Sequence, residues 1–299
     1  MDRLPYFILV FFLPILCCCH TKVYTNNEKI IGYNLTAPDA EIALPHVLHE
    51  ISGITYVDSS SFACIQDEKG IIFVYNFQKD KIKKKYTFNI DGDYEGIARV
   101  NDTIYVLRSD GMLFEIAHYK LKNFHVTSYV TGIPANNNEG LCYDPDNNRL
   151  LIASKGKIGK GHELKDLRVI YGFDLKTKTM IEDPVYDFDL QSIKEFALKE
   201  NPKHHKKNKK RDKVHEPDIK FMTSDIAIHP ITKKLFLLSA TDYMLFIFDR
   251  SGNLEHIEKL MPELFPQAEG ITFMPDGELL IANEGHEKPG TLLRFKYKL

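Results

Sequence analysis

Five segments of this chain open in the same way. Asp93-Tyr94-Glu95-Gly96-Ile97, Asn138-Glu139-Gly140-Leu141 and Ala268-Glu269-Gly270-Ile271 each place an acid and a glycine ahead of an apolar run, and Ile51-Ser52-Gly53-Ile54 and Thr223-Ser224-Asp225-Ile226 are degenerate copies. With Gly53, Gly96, Gly140, Asp225 and Gly270 as register marks, the intervals are 43, 44, 85 and 45 residues. A period of this length signals a repeat architecture, in which each unit buries its faces against its neighbours.

Within each repeat, short runs rich in Ile, Val, Tyr and Phe alternate with turn residues, the pattern of antiparallel strands. The first repeat has runs at 53–57, 62–66, 71–76 and 85–89, and the second at 96–100, 103–107, 112–117 and 125–130. The third (140–143, 149–154, 168–174, 185–188) is stretched by a Gly- and Lys-rich loop at 155–165 and by a polar insertion at 191–218, which opens with a helical turn at 192–198. These insertions account for the 85-residue interval as one extended repeat. The fourth repeat has runs at 226–229, 234–239, 244–249 and 254–259, whereas the fifth (270–274, 278–282, 291–297) stops after three. Residues 41–44 stand before the first motif as other fourth runs stand before theirs, so an N-terminal strand can complete the last sheet and leave no exposed edge. The predicted fold is all-β: a β-propeller of five four-stranded blades, with six as the alternative, spanning residues 30–299.

In a propeller the first strand of each blade lines the central channel, where crowded backbones favour residues without a Cβ. That explains the glycine of the motif and leaves the acid unexplained. Glu95, Glu139, Glu269 and, in the degenerate copy, Asp225 (or Ser224 if the register slips) are expected to ring one channel mouth. Like charges held close raise one another's pKa unless a cation joins them. An oxygen-only set without clustered His or Cys suits a hard cation, calcium first and magnesium or manganese next. The competing expectation is that these acids cap strand starts, bonding backbone amides. Turns between second and third strands open on the same face and bring Asp67, Arg108, Lys155, Asn283 and Glu284 towards the mouth, where the two basic residues suit an anionic or phosphorylated ligand.

The chain's net charge of −2 conceals a division. Residues 203–213 carry seven Lys/Arg against one Asp, a local +6 that leaves −8 for the remainder. An acidic body of this kind excludes a general nucleic-acid binder, and the basic run reads as a solvated loop or a contact for anionic lipid or another polyanion. No Gly-x-Ser-x-Gly elbow is present, so nucleophilic hydrolysis has no sequence support. At the start, an apolar run at 4–16 behind the single basic Arg3 is too short to span a bilayer and ends in Cys17, Cys18 and Cys19. Leu16 stands three positions before Cys19, as in lipoprotein signals, so 1–19 is expected to be a signal peptide that leaves Cys19 (alternative Cys18) lipidated, with 20–29 a polar tether. The other readings are an ordinary secretory signal and an uncleaved anchor. Cys64 and Cys142, in apolar runs of different repeats, are expected to be buried free thiols.

The ordered set Tyr33-Asn34-Leu35, Glu50-Ile51-Ser52-Gly53-Ile54, Asp93-Tyr94-Glu95-Gly96-Ile97, Asn138-Glu139-Gly140-Leu141 with Tyr143-Asp144-Pro145, and Gln267-Ala268-Glu269-Gly270-Ile271 resembles the SdiA-regulated (YjiK-like) family of bacterial envelope β-propellers over residues 30–299 apart from the 191–218 insertion. The resemblance implies a cell-envelope propeller, often a lipoprotein, related to phytase-like propellers that use calcium and carboxylates on phosphate esters. By position it carries the acids over onto Glu95, Glu139 and Glu269, and Ser224-Asp225 departs from the pattern. The leading expectation is a monomeric, envelope-anchored module that binds calcium at its carboxylate mouth and serves in binding or sensing. The alternatives are a calcium-dependent phosphoester hydrolase, with Arg108 or Lys155 positioning the phosphate, and a structural interaction scaffold.

Overall fold

Alternation along each strand decides how this molecule packs. In a computed structural model that describes residues 31–298 apart from 136, 160, 163, 201–216 and 286, five antiparallel sheets stand around a central channel. After β1 (Ala40–Ala43) and a 3₁₀ turn at His46–Leu48, the first blade comprises β2 (Ile51–Asp58), β3 (Ser61–Gln66), β4 (Ile71–Asn76) and β5 (Lys81–Thr87). The second comprises β6 (Tyr94–Val100), β7 (Thr103–Arg108), β8 (Met112–Ala117) and β9 (His125–Val130). The third begins with β10 (Asn138–Asp144), β11 (Arg149–Ser154) and β12 (Leu167–Asp174). The fourth is β15 (Asp225–Ile228), β16 (Leu235–Ser239), β17 (Met244–Phe248) and β18 (Leu254–Lys259), and the fifth is β19 (Ala268–Phe273), β20 (Leu279–Asn283) and β21 (Thr291–Phe295).

Middle strands are buried on both faces, and successive side chains go to opposite neighbours. On β3, Phe62 and Cys64 pack towards the fifth blade while Ala63 and Ile65 pack towards the second. The same division repeats around the ring, so the described residues form five apolar clusters, one at each junction between blades. Cys64 and Cys142 fall in separate clusters and are buried free thiols, as expected. Inner strands touch in the order β2, β6, β10, β15, β19 and back to β2, which closes the circle at five blades.

The closing strand is β1, antiparallel to β21 in a register that sets Ala40 against Arg294 and Ala43 against Thr291. Residues ahead of it are pinned as well. Tyr33, fully buried, donates its hydroxyl to Gly277 O at 2.5 Å and meets His229 Nε2 at 2.8 Å. His229 Nδ1 accepts the N–H groups of Ile231 and Thr232, both at 3.1 Å, so Nε2 carries the ring proton towards Tyr33.

Two outer strands differ from expectation. In the first blade the strand runs over Lys81–Thr87, because its exposed edge tolerates the lysine-rich stretch that resembles a turn. In the third, the outer strand is broken: β13 (Thr179–Met180) and β14 (Tyr186–Asp189) pair with opposite ends of β12. Ile181 and Val185, on either side of the break, fold over Gly172, where a methyl group would lie 2.7 Å from Ile181 Cδ1 and 2.8 Å from Val185 Cγ2. The expected helical turn is a helix, α1 (Leu190–Glu200), whose first turn is capped by Asp189 accepting Ser192 N and Oγ, each at 2.8 Å. The apolar leader, Cys18, Cys19, the tether and the basic run at 203–213 lie outside the described residues. Among the described residues no helix is long and apolar enough to cross a membrane.

Candidate functional site

The three glutamates of the motif each sit on a β-bulge. In the second blade Tyr94 pairs with Arg108 and Gly96 with Leu107, so Glu95 is an extra residue without a cross-strand partner. Glu139 and Glu269 are the extra residues of the third and fifth blades, and Ser52 of the first. A bulge re-aims the side chain it carries and lets one residue escape the in-and-out alternation of the sheet. The following glycines have the expected steric reason: a methyl group on Gly96 would stand 2.6 Å from Leu141 Cβ and 2.7 Å from Glu139 O.

The structure brings Glu95, Glu139 and Glu269 within electrostatic reach of one another and of Lys155. Lys155, just past β11, places Nζ 2.6 Å from Glu139 Oε1, which also accepts Asn137 Nδ2 at 3.2 Å. Burial, then the charges of Glu139 and Asp93, push the Glu95 carboxyl up to about 9. Burial lifts Glu139 to about 7 against the pull of Lys155. Burial would lower the Lys155 ammonium, yet the surrounding carboxylates carry it upward. Glu139 is 3% exposed, and its second oxygen, Oε2, is buried with no hydrogen-bond partner. Buried polar atoms are almost always satisfied, and among the described residues nothing donates to this oxygen, so it has room for a donor or a cation.

Of the neighbouring residues expected at the mouth, Glu284 and Asp67 join the cluster. Burial and Glu269 raise Glu284 to about 7, and burial and Glu50 raise Asp67. Asn283 is fully buried and donates to Leu264 O and Thr291 Oγ1, holding the turn of its own blade. Arg108 is committed elsewhere, in a two-pronged pair with Asp110 at 2.7 and 3.0 Å and over the ring of Phe114. Glu50, Asp93, Asn137 and Gln267 were not singled out from the sequence, although a signal existed: each stands two residues before the bulged position. Asn137 bonds Glu139 and Gln267 bonds Glu284, so these two amides position acids of the cluster, while Asp93 accepts the Ser109 hydroxyl.

Asp225 lies one register step deeper. It pairs with Leu238 without a bulge, at the place the glycines hold in other blades, so Ser224 takes the ring position. Its two oxygens accept the N–H groups of Ile226 at 2.8 Å, Ile271 at 2.9 Å and Leu141 at 3.3 Å, tying three inner strands together across the axis. Burial pushes its carboxyl well up, and these three N–H groups pull the other way. Beyond it the channel continues as a cavity of about 140 Å³ lined by all five inner strands.

The ring residues fit a hard cation in part. Their donor set is oxygen only, and Glu139 Oε2 lacks a partner. Against this, Lys155 already supplies a positive charge, and among the described residues no three His, Cys, Asp or Glu side chains are grouped closely enough to hold a metal ion by themselves. An ion here would therefore complete its shell with water or with oxygens of a ligand.

Comparison with solved structures returns the propeller fold. The chain is similar to the Myxococcus xanthus glutaminyl cyclase structure, at 12% identity and a TM-score of 0.57 over 88% of this chain and 96% of that one. It is also similar to virginiamycin B lyase from Staphylococcus aureus, at 14% identity and a TM-score of 0.44 over 86% and 73%. Identities this low speak to fold alone. No curated protein matches the chain. The model of the SdiA-regulated family matches residues 32–295, which contain every blade and every ring residue described above, and the chain belongs to that family.

Proposed function

We propose that this protein is an envelope-anchored binding or sensing module whose recognition site is the acidic channel mouth, and that the mouth takes a divalent cation, calcium first. The observation that carries the reading is Glu139: a nearly fully buried carboxylate with one oxygen unpartnered, beside Glu95 and Glu269. Glu139 would hold the ion, with Glu95 and Glu269 reaching it through water, and the ion when bound supplies the positive charge that these acids otherwise obtain from Lys155 and from retained protons. So few protein ligands imply weak affinity, with a dissociation constant of about 10⁻⁴–10⁻³ M, the range of extracellular calcium modules. The hydrolase alternative has less support, since Arg108 is held by Asp110. The anchor is assigned to Cys19 on the sequence pattern, and palmitate labelling lost on replacing Cys17, Cys18 and Cys19 by Ser is the expected result; unchanged labelling would remove the anchor.

The test of the mouth is a thermal melt at neutral pH. Calcium at about 10 mM, above the dissociation constants expected of such a site, should raise the melting temperature of the wild type and leave Glu139→Gln unmoved. A wild-type melt indifferent to calcium and to chelator would end the cation reading.

A further inference from the structure

On the third blade, between residues 156–157 and 165–168, the start of α1 and the segment at 218–222, lies a cavity of about 590 Å³. Lys157, Lys165, Arg168, Lys194 and Lys220 line it. Asp166 and Asp218 are its acids, and Asp166 is engaged by Gln191 Nε2 at 3.1 Å. Among the described residues the lining holds five cations and two acids, a local reversal on a body that carries −8 outside the basic run. Leu190 and Ile219 supply an apolar floor.

Arg168 is the unusual member. It is 7% exposed, and its guanidinium donates only to neutral oxygens: Nε to Phe221 O at 3.2 Å, Nη1 to Lys165 O and Leu167 O at 3.0 Å, and Nη2 to Lys220 O at 3.0 Å. A guanidinium has five N–H groups, so one on Nη2 remains. Among the described residues no carboxylate forms a direct ion pair with it; burial lowers the pKa of the group, and the charges of Asp166 and Asp242 offset this only in part. A buried charge held by neutral oxygens, with carboxylates only at a distance, is costly. The same bonds fix the cavity in advance, because they staple the wall at Lys165 and Leu167 to the wall at Lys220 and Phe221. Asp242 secures the second wall again by accepting Lys220 N at 2.9 Å and Phe221 N at 2.8 Å.

We propose that this groove binds an organic phosphate, whose phosphoryl group is held by Arg168, Lys165 and Lys220 and whose organic part rests on Leu190 and Ile219. Two sources share this chemistry, a phospholipid headgroup and a soluble organophosphate. None of the mouth acids lines the groove, and Glu139→Gln should leave it intact.

The experiment is calorimetric titration of the full chain, in neutral detergent, with glycerol 3-phosphate, with short-chain phosphatidic acid and with its phosphatidylcholine counterpart. At least one of the first two should bind, with affinity falling as salt rises. The variant Lys165→Gln/Lys220→Gln should bind about tenfold more weakly or worse, as the loss of charge-assisted contacts implies. Lys81→Gln/Lys84→Gln, on the exposed strand β5, should bind as the wild type does. Phosphatidic acid binding alone identifies the lipid source, and glycerol phosphate binding the soluble one. The proposal is overturned if neither phosphate binds, if the groove variant binds normally, or if replacing the seven Lys/Arg of 203–213 by Gln abolishes binding while the groove variant does not.

Discussion

Glu139 and Asp225 stand on neighbouring blades, one register step apart, and both are almost fully buried, at 3% and 2% exposure. Every oxygen of Asp225 is used: its carboxylate gathers N–H groups from three inner strands. Glu139 keeps one oxygen without a partner and shares the other between a lysine and an amide. Burial and a raised pKa are common to both, so neither property separates a structural acid from a functional one. Unfilled hydrogen-bonding capacity does. Asp225 is an internal fastening, and Glu139 is a socket.

The sharpest break of this comparison is Asp225→Ala, which orphans the N–H groups of Leu141, Ile226 and Ile271. Each buried, unsatisfied donor costs about 1–3 kcal/mol, so a loss of about 3 kcal/mol or more is expected. For a chain of this size that lowers the melting temperature by about 6–12 °C. Glu139→Gln should cost far less, and equal losses in the two variants, read by denaturant unfolding, would erase the distinction.

The next effect is pH. Glu95 sits near 9 in the folded protein against a usual 4.5, so the native state holds an extra proton between those values. Its stabilisation is complete below about 4.5 and disappears as pH rises through 9. Glu139 and Glu284, both near 7, add to the same decline. His229 acts in the opposite sense: held near 4 by burial against a usual 6.5, it contributes stability above 6.5 that is lost as pH falls through 4. Between 4.5 and 6.5 the three acids outweigh His229, so on these groups wild-type melting temperatures should be highest near pH 4.5 and fall as pH rises through neutrality towards 9. Glu95→Gln should flatten the alkaline limb only; an alkaline limb unchanged in that variant would contradict the coupling at the mouth.

The smallest effect concerns Lys155→Gln. Removing the resident ammonium should strengthen calcium binding several-fold by abolishing competition for Glu139, and it should lower the melt without calcium only as far as Glu139 cannot take up a proton in place of its lost partner. Weaker calcium binding in this variant would mean that Lys155 supports the ion rather than competing with it.

Much of this was legible from residues alone. The glycine marks could be read because contacts such as Gly96 against Leu141 allow no side chain, and because apolar runs buried on both faces stand out from their turns. The position of Asp225 could not be read, since Ser-Asp and Glu-Gly align only once it is known which residue is bulged out of register. Arg108 and Lys155 look alike in the sequence, each following a second strand. One is captured by Asp110 two residues on, and the other has no such neighbour and reaches Glu139. The groove around Arg168 was invisible because its carbonyl partners at Lys220 and Phe221 lie more than fifty positions away, across an insertion without periodicity.

The pairing of β1 with β21 has a temporal consequence. Contacts across that seam join positions as far apart as Asp39 and Lys296, a separation of 257. During synthesis β1 is among the first segments made, and it stays unmatched until β21 emerges, so four blades can form before the circle shuts. Joining such distant positions is entropically slow. For that interval the nascent protein presents two raw edges, and quality control by chaperones and proteases has its opportunity then, before the last hairpin removes both edges at once.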